Sequence, residues 1–245
     1  MHPTHHRPGF VRLAGLLGIA AGAAIAGSAA ANLDVSFQNS NGGFASTLNT
    51  ANFDGPWSYS ATAGRDGRGA WITTGQNSYC GYACTSDLTS GAFAVGGTGE
   101  VTLSFTHRYS FEVDAGGLWD AGAVYISRNG GAWTLVDSSA FTSNGYNAVV
   151  SSWSQGSELG GQMAFTGTSA GYGSGAFLTS TANLGQFNAG DTLRVRFRAA
   201  YDSNTIAGSP SWAIDGMSLG GAVPAPGGLA LIGVGLFAAG RRRRA

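Results

Sequence analysis

Two stretches of strict alternation set the strongest limit on what this chain can fold into. Residues 101–111 read Val-Thr-Leu-Ser-Phe-Thr-His-Arg-Tyr-Ser-Phe, with apolar side chains and His107 at odd positions and Thr, Ser and Arg at even ones. The pattern returns further on, where Leu193, Val195, Phe197 and Ala199 alternate with Thr192, Arg194, Arg196 and Arg198. Successive side chains of a strand point to opposite faces, so a period of two means one face on a core and the other in water. Charged residues make up only 11% of the chain and glycine fills 41 positions, which leaves little material for long amphipathic helices. The expected class is all-β.

Further strands fit this reading. Residues 123–127 and 132–136 flank Arg128-Asn129-Gly130-Gly131, and an Asn-Gly pair tolerates the positive φ of a tight hairpin turn. A last strand is expected over 212–219, whereas the Gly/Ser-rich stretch 138–180 reads as mostly loop with short strands. Short strands with frequent turn signals point to an antiparallel β-sandwich.

Charge is unevenly distributed. All thirteen basic residues are arginine, and six lie at the ends: Arg7, Arg12, Arg241, Arg242, Arg243 and Arg244. The thirteen acids all lie between Asp34 and Asp215, so the central region carries seven positive against thirteen negative charges, a net −6. A lysine-free acidic domain does not suit a phosphate backbone, and nucleic acid is excluded as a partner.

The two ends read as addresses. A polar, basic start followed by an apolar stretch and Gly27-Ser28-Ala29-Ala30-Ala31 has the form of a signal peptide over residues 1–31, cut by signal peptidase to leave Asn32 first; an uncleaved anchor is the alternative. At the other end, Val223, Pro224, Ala225 and Pro226 lead into an apolar run, which closes on Arg241, Arg242, Arg243 and Arg244. Prolines separate a folded domain from a tail, the apolar run partitions into a bilayer as a short transmembrane helix, and the arginines resist translocation. This tail, residues 221–245, resembles the PEP-CTERM sorting signal processed by exosortases of Gram-negative bacteria, although the signature Pro-Glu-Pro is here Pro224-Ala225-Pro226. The resemblance implies an exosortase as maturation partner, transient anchoring in the inner membrane through the tail alone, and display at the cell surface or in an extracellular matrix. A plain tail anchor is the alternative.

The region between, residues 32–220, carries a second resemblance. Leu103-Ser104-Phe105, His107-Arg108-Tyr109, Phe111-Glu112, Trp119-Asp120, the hairpin from Ile126 to Trp133, Gly145-Tyr146-Asn147, Arg194 to Arg198 and Trp212 to Asp215 are similar to the MAM-like domain beside the catalytic domains of immune inhibitor A and other secreted bacterial peptidases. That likeness implies a jelly-roll sandwich acting as an accessory that binds or positions, here with no peptidase domain preceding it.

Little in the sequence suggests catalysis. Beyond the signal the one histidine is His107, on the apolar face of its strand, where a packed core role fits best. No His-Glu-x-x-His or Cys-x-x-Cys spacing for a metal enzyme is present. The enzyme alternative is a glycoside hydrolase using Glu112 and Asp114 as a carboxylate pair, but the next residues are Ala115, Gly116, Gly117 and Leu118, without the further glutamate of the laminarinase-like pattern. The expectation is a non-enzyme.

Four groups of binding or structural residues are expected. Cys80 and Cys84 are the whole cysteine content of a chain bound for an oxidising compartment, so a local disulfide is expected. Arg194, Arg196 and Arg198 line the outward face of one strand and can either grip acidic polysaccharide or form a solvated sheet face. Among the tryptophans, Trp133 and Trp212 fit core positions, which leaves Trp119 and Trp153 as candidates for stacking on sugar rings. Glu112, Asp114, Asp120, Asp202 and Asp215 cluster around strand ends as candidate ligands of a structural calcium, the alternative being that they bond turns or pair with arginines. The functional expectation is a carbohydrate- or matrix-binding surface protein, with a purely structural or adhesive role as runner-up.

Overall fold

The computed structural model describes residues 32–49, 55–74, 83–152, 157–202 and 208–222. In chain order its strands begin with β1 (Leu33–Ser36), β2 (Ala45–Leu48), β3 (Ser58–Ser60), β4 (Ala70–Thr73), β5 (Cys84–Thr89), β6 (Phe93–Ala94), β7 (Gly99–Tyr109), β8 (Val113–Asp114) and β9 (Gly117–Leu118). They continue with β10 (Ala121–Arg128), β11 (Thr134–Leu135), β12 (Phe141–Ser143), β13 (Ala148–Val149), β14 (Met163–Ala164), β15 (Leu178–Phe187), β16 (Thr192–Tyr201) and β17 (Trp212–Gly221). The signal-peptide residues 1–31, Cys80, Trp153, and the tail residues Val223, Pro224, Ala225, Pro226, Arg241, Arg242, Arg243 and Arg244 lie outside the described residues. No helix among the described residues is long and apolar enough to cross a membrane.

Two antiparallel sheets form a sandwich. One has the order β12-β15-β7-β17-β4-β3, with β1 beside β4 on the same edge of β17; the other has the order β11-β10-β16-β5-β2, with β6 also on β16. The chain passes from β5 and β6 in one sheet to β7 in the other, returns for β10 and β11, and crosses again at β12, β16 and β17, as jelly-roll sandwiches do. The alternation seen in the sequence is what joins the sheets. Val101, Leu103, Phe105 and Tyr109 of β7 face Leu193, Val195, Phe197 and Ala199 of β16, all at 5% exposure or less. Phe105 meets Phe197 edge-on at 5.1 Å, and Trp212 of β17 meets the same ring at 6.0 Å.

His107 takes the expected core role. It is fully buried, and its Nδ1 accepts a hydrogen bond from Trp212 Nε1 at 3.0 Å. The ring proton therefore sits on Nε2 and is donated to Ser180 Oγ at 2.7 Å. Burial lowers the His107 pKa to about 3, so the ring is neutral.

Two elements depart from the sequence expectation. Strand β15 runs ten residues where the Gly/Ser-rich reading expected loop up to 180. Its central inward positions, Ser180 and Ala182, are small and lie opposite the bulky Phe105 and Leu103, which weakens its hydrophobic signal there. In β17 the pairing with β7 slips between Ile214 and Gly216, which makes Asp215 the extra residue of a bulge. The bulge inverts the phase, so that Trp212 and Ile214 before it and Met217 and Leu219 after it all face the core. The hairpin turn is as expected, with Asn129 at φ 54° and Gly130 at φ 71°.

Candidate functional site

Strand register builds an acidic centre at one end of the sandwich. Ala121 at the start of β10 pairs with Ala200 near the end of β16, which places Asp120 beside Asp202; Glu112 follows β7 from the other sheet. Carboxylate oxygens of Glu112, Asp120 and Asp202 all lie within 4.8 Å of one another, and the three residues are 8%, 0% and 5% exposed. Asp120 Oδ1 accepts the Asp202 backbone N–H at 2.9 Å, whereas the buried Asp120 Oδ2 has no hydrogen-bond partner. Burial first, and then the charges of Glu112 and Asp202, raise the Asp120 pKa well above the usual carboxylate range. Convergent hard oxygens with one buried and unsatisfied form a group that could hold a metal ion.

The other two acids of the expected calcium set are elsewhere. Asp114 sits in the β8–β9 hairpin, where its Oδ1 accepts from Gly116 N at 2.7 Å, Gly117 N at 3.1 Å and Trp119 Nε1 at 2.9 Å. The indole bond, then that from Gly116, lowers its pKa. Asp215, at the β17 bulge, accepts the Arg65 backbone N–H at 2.9 Å on Oδ1. Trp119 is half-buried, its indole tethered to Asp114.

The outer face of the six-stranded sheet is a second assembly. Arg194, Arg196 and Arg198 do point outward, but they do not form a free cationic strip. Arg198 makes a two-pronged pair with Asp87, at 2.8 Å from both Nε and Nη2, and reaches Glu158 at 3.2 Å. Arg196 Nη1 lies 3.3 Å from Asp87 Oδ2, and the Arg196 and Arg198 side chains keep only 18% and 21% exposure. Arg194 donates from Nε to Ser90 O at 3.2 Å and has no salt bridge among the described residues.

Two aromatic rings lie against this row. Trp133 is not in the core, where its position in the hairpin placed it; its ring sits on the Arg196 guanidinium at 4.0 Å and on Arg194 at 5.4 Å. Tyr125, opposite Arg196 in the register, lies 5.3 Å from the Arg198 guanidinium. Both rings are half-exposed. Sequence reasoning missed Trp133, Tyr125 and Asp87 as partners of the arginines. The available signal was parity: Tyr125 and Ser127 share the outward face opposite Val124 and Ile126, and Trp133 continues beyond that face across the hairpin.

The carboxylate pair expected for glycoside hydrolysis, Glu112 with Asp114, does not assemble. Glu112 is buried and Asp114 is exposed and tied to its own turn, so the two carboxylates expected as a pair do not face one ligand. Cys84, buried at the start of β5, is disulfide-bonded, while Cys80 lies outside the described residues.

No family model matches the chain, and no curated protein matches it. Solved structures do. The xylan-binding module CBM22-1 of Paenibacillus barcinonensis Xyn10C is 13% identical, with 82% of this chain and 100% of that one covered and a TM-score of 0.42. The K1 cleaved adhesin domain of Lys-gingipain from Porphyromonas gingivalis W83 is 18% identical over 77% of this chain and 97% of that one, TM-score 0.41. TmCBM61, solved with β-1,4-galactotriose, is 9% identical over 76% and 90%, TM-score 0.39. At such identities and scores the likeness is one of β-architecture and says nothing about what this chain binds.

Proposed function

We propose that this chain is an exported, surface-displayed, non-catalytic β-sandwich that binds carbohydrate on the outer face of its six-stranded sheet. The observation that carries the reading is the pair of half-exposed rings, Trp133 and Tyr125, each seated on arginine guanidiniums of β16 beside Asp87. Sugar recognition needs flat apolar platforms for the ring C–H face and rigid bidentate polar groups at its rim. Trp133 and Tyr125 supply the first, Arg194 and the Asp87–Arg196–Arg198 network the second.

Export and sorting rest on the signal-like residues 1–31 and on the proline, apolar and arginine segments of the tail. Signal peptidase and an exosortase are the corresponding maturation partners, and residues 32–220 the MAM-like body that remains. Glu112, Asp120 and Asp202 hold a structural calcium in this reading, supported by the unsatisfied Asp120 Oδ2.

A glycan array read with the purified chain, followed by titration of the best neutral glycan against Trp133→Ala and Tyr125→Ala, tests the proposal. Each truncation should cost about 1.4–2 kcal/mol, a tenfold or greater loss of affinity, with the melting temperature unchanged. An array without binders, or a glycan bound equally by Trp133→Ala, overturns this site and leaves a structural matrix or adhesion protein.

A further inference from the structure

One arginine lies apart from the β16 network. Arg108 is the last outward-facing residue of β7 on the opposite, seven-stranded sheet, half-buried where the strand approaches the end of the sandwich. Its guanidinium is clasped between two aromatic rings, 5.5 Å from the centroid of Tyr172 and 5.1 Å from that of Phe177. No carboxylate lies within ion-pair distance of it among the described residues, although the central region carries an excess of acids. Its Nε–H is buried without an acceptor, as is that of Arg196, but Arg196 has Asp87 beside its Nη1 whereas Arg108 has no carboxylate among the described residues.

The clasp is built rather than incidental. Tyr172 opens a short 3₁₀ turn, Tyr172–Ser174, bracketed by Gly171 at φ 72° and Gly175 at φ 78°, and its hydroxyl donates to Pro210 O at 2.8 Å. The ring is therefore fixed at both its backbone and its tip. Gly175 leaves Nη1 uncovered: a Cβ there would sit in contact with it at 3.5 Å. Next to the clasp, the outward hydroxyls of Thr106 and Thr179 bond one another at 3.1 Å, and those of Ser104 and Thr181 do the same one row further on. Buried polar groups are satisfied in the great majority of cases, and a planar guanidinium held by ring faces presents its N–H edge for two-point contact with a planar anion.

We propose that Arg108, clasped by Tyr172 and Phe177, is the anion-binding point of a second carbohydrate site, taking the carboxylate or sulfate of an acidic polysaccharide that lies along the neighbouring Ser/Thr rows. The acidic ligand that the Arg194, Arg196 and Arg198 row suggests in the sequence is thereby assigned elsewhere, because Asp87 and Glu158 hold Arg196 and Arg198 in ion pairs. The site is separate from the Trp133 face, and its test separates the two.

Retardation of the purified chain in gels containing polygalacturonate, dextran sulfate or neutral dextran reads the site. Wild type should be retarded by one or both polyanions, more weakly as salt rises, and the two gels distinguish carboxylate from sulfate. Arg108→Gln should weaken that retardation at least tenfold and Arg108→Lys, which keeps the charge but not the fork, by several-fold, while Trp133→Ala leaves it intact. Should Arg108→Gln not fold, the Nε–H resonance of Arg108 in wild type should shift on titration with trigalacturonate or a sulfated disaccharide. Absence of retardation in both polyanions, equal retardation of wild type and a folded Arg108→Gln, or an unmoved Nε–H resonance overturns the proposal.

Discussion

Removing the cation proposed for Glu112, Asp120 and Asp202 should cost stability, and the cost should grow with pH. With carboxylate oxygens no more than 4.8 Å apart, each ionised pair repels by about 3.5 kcal/mol at an effective dielectric of about 20. Three ionised carboxylates at this spacing repel one another, and protonation relieves the repulsion, which agrees with the raised pKa of Asp120. The sign follows. A carboxyl whose pKa is higher folded than unfolded binds its proton more tightly in the folded state, so stability falls as pH rises from the unfolded carboxylate range toward the raised value. The slope approaches about 1.4 kcal/mol per pH unit for each proton involved. Calcium replaces the proton and removes this loss. At a hundred times its dissociation constant it should add about 2.7 kcal/mol, or roughly 5–10 °C in melting temperature for a domain of this size. Thermal unfolding in chelator and in millimolar calcium, at pH 5 and pH 8, measures it, and the gap should be the larger at pH 8. Asp120→Asn should be more stable than wild type in chelator at pH 8 and should lose the calcium response. Equal midpoints with and without calcium at pH 8, together with an Asp120→Asn variant less stable than wild type in both, would falsify the cation site.

Other expectations are independent of the metal. Gly122→Ala drives a Cβ to 2.5 Å from Cζ3 of the fully buried Trp212, an overpacking worth about 1–3 kcal/mol; the melting temperature should fall by several degrees, and an unchanged value would mean that the β10–β17 packing is wrong. His107 titrates oppositely to Asp120: its pKa is lowered to about 3 in the fold, so its contribution is complete above about 6.5 and is lost as pH falls from there toward 3. In calcium, wild-type stability should thus decline below pH 6.5, and a flat profile down to pH 4 would refute a neutral buried ring. Peptide mapping without reductant should recover Cys80 linked to Cys84, and free thiol at either position counts against the pairing. Intact mass of the protein from its native host should show loss of residues 1–31 and of the segment after about Pro226; a product ending in Arg244-Ala245 speaks for a simple anchor.

The alternating registers of β7 and β16 were legible because each strand has one wet and one dry face, and a period of two records this in the residues themselves. The Asn129-Gly130 turn was equally local, since positive φ is a property of two adjacent residues. For the same reason the burial of His107 followed from its parity alone. Strand β15 was not legible at its centre: Ser180 and Ala182 are small and fit opposite Phe105 and Leu103, a complementarity that exists only across the pair. The bulge at Asp215, which re-phases β17, likewise depends on the neighbouring strand. Acids at strand ends could be picked out as a group of five, yet only the closure of β10 against β16, with β7 ending above them, decided that Glu112, Asp120 and Asp202 meet while Asp114 caps its own turn and Asp215 meets Arg65. Which arginines are charge-compensated was decided in the same way. The sequence shows seven central arginines alike in kind, and tertiary structure alone sets Asp87 and Glu158 against Arg196 and Arg198 and leaves Arg108 between two rings, because electrostatic pairing depends on distances of a few ångströms between residues far apart in the chain.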